Sequence, residues 1–564
     1  MKFHELPYRR PDIETFKQQF ATSIQNFTDA ATYDQQENAM GQINGLRAEF
    51  ETMHELAGIR HTIDTTDEFY KQEQDFFDEV QPVYEGLISD FYSALVNSKF
   101  QSELKAKWGT QLFKLAELCL KTFSPEIVDD LATENKLTSE YQQLLASAKI
   151  MFEGEERNLS QLEPFIQSAD RAMRKRASEA RYGFFVEHEA KLDDIYDQLV
   201  KVRTKVAKKL GYDNFVQLGY ARMSRTDYNA EMVAKFRTQV LTYIVPAAEK
   251  LRERQRDRLG LDTLQYYDTG FQFESGNPTA KGSPEWIVDN GRKMYSELSA
   301  ETDEFFQFMI DNGLMDLVSK KGKADRGYCT YLSKYKAPFI FSNFNGTSGD
   351  IDVLTHEAGH AYQVYQSRGY EIPEYNWPTL EACEIPSMSM EFFTWPWMEL
   401  FFEEDTAKYK FYHLQSALQL IPYVVSGDEF QHFVYENPDA TPAERKLAWR
   451  EIERKYFPHR NYSENEYLER GGFWHQQSHL FRTPFYYIDY ALAQICALQF
   501  WKRMHEDRDS AWADYVKLCK QGGSKPFTEL VKVANLISPF EDGCVKSVIG
   551  VIEDWLDKID DKKL

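Results

Sequence analysis

The sequence predicts a mainly α protein with one small β-sheet, and three observations lead to that class. Apolar residues recur three or four apart from the start of the chain to about residue 265 and again from Thr379 onward, which is the period of a helix buried on one face. A single segment, Gly327 to Thr347, breaks the pattern with dense Tyr, Phe, Ile and Thr followed by Asn-Gly punctuation, the texture of a sheet. The 564 residues are 42% hydrophobic and 15% aromatic, which describes a folded globular chain of two to four structural units or one large helical body of two lobes.

Taken in order, the opening MKFHELPYRRPDIETF has no apolar core and no small-residue cleavage site, so no secretory leader is expected there. Leu192, Ile195, Tyr196, Leu199, Val202, Val206 and Leu210 form the clearest helical stripe, with Gly211 placed to end it. The basic run Lys205 to Lys209 belongs to the solvated face of that helix. Phe271 to Pro284, rich in Gly, Pro, Ser and Asn, marks a long loop or a hinge between lobes. After the sheet segment a helix is expected from Asp350 or Asp352 to about Gly369. We divide the chain into an N-terminal helical region, 1–185, and a second region, 186–564, whose chemical motifs fall within 327–501.

The formal charge of −23 and the lack of a Lys/Arg stripe argue against a nucleic-acid partner. No stretch reaches about 18 uninterrupted apolar residues, so no membrane partner is expected. Six widely spaced cysteines without a CxxC pair predict a reduced, cytoplasmic protein, with Cys383 as buried filler.

The chemistry sits in His356-Glu357-Ala358-Gly359-His360, an HExxH pattern. Residues four apart on a helix lie one turn along the same face, so both imidazoles can reach one metal ion, and Glu357 can act as base on bound water. A catalytic zinc keeps three protein ligands and one open position. The all-histidine extension is absent, because positions 363 and 366 are both Gln. A carboxylate from the next helix is the alternative, and Glu381, Glu384 and Glu391 are available there on one expected face. Their neighbours Ile385, Met388, Met390, Phe392 and Phe393 are apolar, which predicts a buried cluster in need of a cation or donors. We take Glu384 as the third ligand, with Glu381, Glu391 and Asp352 as supporting carboxylates around the ligands.

HEAGHA followed by EIPSMSMEFF resembles the M3 family of zinc metallopeptidases, and the approach FNGTSGDIDVLTHEAGH resembles its oligoendopeptidase F branch, including the Pz-peptidase-like members. The resemblance implies one zinc ion per chain held by His356, His360 and Glu384, and two helical lobes around a deep channel that admits short unstructured peptides. The downstream segment Gly471 to Tyr490 resembles the family's His and Tyr region, which implies His479 with Tyr486, Tyr487 or Tyr490 as donors to the oxyanion. Gly471 and Gly472 would form either a flexing loop or a plain turn. The activity so implied is hydrolysis of internal peptide bonds. Its rivals are a zinc carboxypeptidase, an inactive peptide-binding protein and a protein with a structural metal.

Overall fold

The computed structural model describes residues 2–324, 327–462 and 464–564. Helices make up most of the chain, from Ile13–Asp29 near the N-terminus to Cys544–Asp557 near the C-terminus, around one continuous apolar core that runs from Phe3 to Leu556. The expected stripe is the buried face of helix Glu189–Lys209, and Gly211 follows its cap in the left-handed conformation that favours glycine. Lys205 and Lys209 lean outward onto Asp130, each at 2.7 Å. The 271–284 segment is irregular but tied down, with Lys281 N–H bonded to the Phe401 carbonyl and Arg258 donating to the Gln272 carbonyl. It is a fastened loop.

Five short strands occur among the described residues. Strands β1 (Ile150–Phe152) and β2 (Glu155–Arg157) pair antiparallel across Glu153-Gly154, both at positive φ, and interrupt the run of helices expected to reach residue 265. The second sheet contains β3 (Met315–Val318), β4 (Tyr328–Leu332) and β5 (Ala337–Phe344) in the order β3-β5-β4. Strands β4 and β5 form the sheet expected from residues 327–347; β3, which pairs parallel to β5, lies outside that segment. Helix Tyr33–Ile63 lies over β4, with Thr330 Oγ1 donating to Glu55 at 2.6 Å and Thr62 Oγ1 2.6 Å from the Tyr328 hydroxyl.

Strand β5 delivers the chain into the HExxH helix through a closed turn. Asp350 accepts from the N–H groups of Asn345 and Gly346, both at 2.8 Å, which fixes the start of helix Gly349–Ser367. A connector then leads to helix Leu380–Phe393, called here the glutamate helix, which crosses the HExxH helix closely. Gly359 makes that crossing possible. A Cβ on Gly359 would lie 2.6 Å from the Ser387 Cα and 2.7 Å from the Pro386 carbonyl oxygen. Helix Tyr487–Glu506 packs along the glutamate helix, and the long helix Thr406–Glu436 packs on helix Tyr487–Glu506 and reaches the glutamate helix through the side chain of His413.

Candidate metal centre and its surroundings

The HExxH helix turns His356 and His360 to one side, and the glutamate helix brings Glu384 up to them. Glu384 Oε2 lies 3.3 Å from His356 Nε2 and 3.4 Å from His360 Nε2. One donor atom from each of the three residues lies within 4.8 Å of the others, the only such group of three or more among the described residues. Two neutral-capable imidazoles and a carboxylate are the donor set of a catalytic zinc site with one position open, so these residues fit that ion. Burial opposes ionising Glu384, but His360 and His356 outweigh it and hold the carboxyl well below the usual carboxylate range.

Glu391, one of the supporting carboxylates expected from the sequence, stands where it can orient a ligand. His356 Nδ1 lies 2.7 Å from Glu391 Oε1, the arrangement that fixes a metal-binding imidazole with Nε2 outward. Seven residues advance a helix by almost two full turns, so Glu391 falls within about 20° of Glu384. Glu381, three residues back, is offset by about 60° on the opposite side. That offset corrects the expectation that all three share one face around the ligands: Glu381 accepts from Thr379 Oγ1 at 3.0 Å, and its charged neighbours are Asp489 and Arg225. Burial and the nearby Asp489 push its carboxyl up to about 8. Asp352 also makes no direct bond to the ligands; it accepts from the Tyr409 hydroxyl at 2.6 Å, and burial raises it to about 6.

Glu357 is buried, its Oε2 has no hydrogen-bond partner, and burial lifts its pKa above the ordinary glutamate value. A Cβ at Gly327 would lie 3.7 Å from Glu357 Oε1, so this glycine leaves the approach to the carboxylate free of a side chain. Opposite, the Tyr486 hydroxyl donates to Glu384 Oε1 at 3.0 Å. The His479 ring centroid stands 5.4 Å from Tyr486, 4.8 Å from Tyr487 and 6.0 Å from Tyr490. Burial lowers the pKa of His479 and raises those of the three phenols, so at neutral pH the tyrosines keep their protons and can donate them. The downstream segment is thus gathered beside the metal-ligand candidates. Gly471 is a tight turn: at φ 91° a Cβ there would lie 1.9 Å from the Lys446 carbonyl oxygen.

Three residues in this neighbourhood carry no sequence signal of their own. His413 Nε2 lies 2.7 Å from Glu391 Oε2, Trp395 Nε1 donates to His413 Nδ1 at 3.1 Å, and Tyr409 holds Asp352. Cys383, expected as filler, is buried as such but has its Sγ 3.2 Å from His360 Nδ1. All six cysteines are free thiols.

The family model described as Peptidase family M3 matches residues 165–281 and 289–548, and one described as Peptidase M3 N-terminal domain matches residues 3–123. A solved structure described as Pz peptidase A with inhibitor 2 is 68% identical over 100% of both chains, with a TM-score of 0.95. A candidate oligoendopeptidase F of Bacillus anthracis is 63% identical over 100% of this chain and 99% of its own, with a TM-score of 0.91. A curated relative, an oligoendopeptidase F homolog of Borreliella burgdorferi, is 26% identical over 379 residues, 64% of this chain. That match spans 61% of the relative's own length.

Proposed function

The chain belongs to peptidase family M3, and from that premise we propose that it is a zinc-dependent oligoendopeptidase, hydrolysing internal bonds of short unstructured peptides. The observation that carries the reading is the convergence of His356, His360 and Glu384 beside the buried, unpartnered oxygen of Glu357. His356 Nε2, His360 Nε2 and a Glu384 oxygen would hold the ion. Zinc bound there lowers the pKa of water toward about 7 and polarises the substrate carbonyl.

The remaining steps belong to the chain's own side chains. Glu357 takes a proton from the attacking water and passes it to the leaving amide nitrogen, and its raised pKa suits both halves of that task. His479, Tyr486 and Tyr490 donate to the oxygen that becomes negative as the carbonyl carbon turns tetrahedral, each worth about 3 kcal/mol in a preorganised site. Strand β4, at the edge of its sheet, is the element along which an extended peptide backbone would pair. Selection of short peptides rests on a channel between two lobes, as the family resemblance implies. We place the protein in the cytoplasm on the ground of its six free thiols.

Product analysis of a peptide of about ten residues, blocked at both ends, tests the proposal. Internal cleavage that a chelator stops and zinc restores is the expected result. Cleavage only after the C-terminus is freed would instead make the protein a carboxypeptidase. Stoichiometric zinc without cleavage of either peptide would make it an inactive binder.

A further inference from the structure

The contacts of Glu391 do not end at His356. Glu391 Oε2 lies 2.7 Å from His413 Nε2, and His413 Nδ1 lies 3.1 Å from the indole nitrogen of Trp395. His413 and Trp395 are both buried. Indole nitrogen can only donate, so Trp395 occupies the lone pair of His413 Nδ1 and requires that nitrogen to be unprotonated. The ring proton then sits on Nε2, where it points at the carboxylate. The opposite tautomer fails at both ends, because two N–H groups would face each other across 3.1 Å and two acceptors across 2.7 Å.

Trp395 therefore selects the tautomer of His413 that carries its proton on Nε2, by filling the direction in which a proton on Nδ1 would point. Phe392, at 4.9 Å, and Tyr409, stacked at 5.6 Å between ring centroids, pack the ring in place. In that tautomer one oxygen of Glu391 accepts from His413 Nε2, and the other lies against His356 Nδ1. Its remaining demand falls on His356 Nδ1, which must carry the proton and leave Nε2 free on the side of Glu384.

We propose that Trp395 and His413 are positioning residues which, through Glu391, fix the tautomer and the orientation of His356. The inference rests on the reading of His356 as a metal ligand, and the test separates the two. Zinc affinity is measured on the full-length protein by competition with a chromogenic chelator. The variants are His413→Phe, His413→Gln, Trp395→Phe, Glu391→Gln and the pair His413→Phe with Glu391→Gln.

Gln can repeat the bridge, accepting from Trp395 with its carbonyl and donating to Glu391 with its amide. His413→Gln is therefore expected to bind zinc nearly as well as the natural protein, whereas His413→Phe loses about ten- to a hundredfold in affinity. Trp395→Phe, which keeps an aromatic ring, should weaken zinc binding as well, by a smaller factor. The double variant should lose no more than Glu391→Gln alone, because both changes act on one contact chain. Selective ¹⁵N-histidine spectra give a second readout: His413 protonated on Nε2 in the natural protein and no longer so restricted in Trp395→Phe.

Wild-type affinity in His413→Phe would overturn the proposal, as would equal losses in His413→Phe and His413→Gln, which would mean a purely steric role. An Nδ1-protonated His413 in the natural protein would also overturn it. If His413→Phe does not fold, His413→Gln and Trp395→Phe decide between the same outcomes. Failure of the natural protein to bind zinc at all would strike the metal reading and not the relay.

Discussion

Glu357 and the groups opposite it divide the chemistry between proton transfer and charge stabilisation, and single substitutions should separate the two. Glu357→Gln removes a base while keeping shape; turnover should fall by about 10²- to 10⁴-fold with zinc content unchanged in metal analysis. His479→Phe should lower kcat by roughly 10²- to 10³-fold with little effect on zinc affinity; Tyr486→Phe should lower kcat by a similar factor and also weaken zinc binding, because it removes the hydrogen bond to Glu384. An unaltered kcat in either would remove that residue from the site. At this scale the sequence is informative where residues on one helix stand close to whole turns apart. His356 and His360 are spaced by about one turn, with Glu357 beside the first, and Glu391 follows Glu384 by almost two. Glu381 was misjudged because the step of three residues carries it to the far side of Glu384, toward Arg225 and Asp489. His413 and Tyr409 carry no signal for a different reason: only the placement of helix Thr406–Glu436 in space brings them to Glu391 and Asp352, and Trp395, just beyond the glutamate helix, gains its role only through His413.

Among the elements, the crossing of the HExxH and glutamate helices decides whether the three ligand candidates meet at all. Gly359→Ala places a methyl carbon inside contact distance of the Ser387 and Pro386 backbone, which cannot swing aside as a side chain could. We expect a destabilisation of about 1–3 kcal/mol in denaturant melts, together with weaker zinc binding as Glu384 is pushed away. Unchanged zinc affinity would mean that the helices separate elsewhere along their length. The sheet was legible where it is long: β5 is eight residues and lies beside β4, and their composition stands out. Strands β1 and β2 have three residues each and β3 has four, too few for a period to show above helical surroundings.

Across the whole molecule, the helix that starts with Tyr487 is anchored by a buried ion pair from a distant part of the chain. Arg225 Nη2 donates to Asp489 at 2.7 Å and to the Phe485 carbonyl at 2.5 Å, and both charged side chains are fully buried. Asp489→Ala would deprive the guanidinium of its hydrogen-bonded counter-charge and leave only the Glu381 carboxyl nearby, at a cost of up to about 3–5 kcal/mol. Replacing Arg225 by Met together with Asp489 by Leu should recover most of that loss in thermal melts. Recovery of stability without recovery of kcat would identify the pair as the device that sets Tyr486 and Tyr490 in register with Glu384. The close crossing at Gly359 bears on how this architecture can drift over generations. A written pattern treats the two middle letters of HExxH as free, yet here the second is confined by the backbone of another helix. A mutational library opened at position 359 should therefore return almost nothing but glycine, even under selection for stability alone and with no peptide to cut.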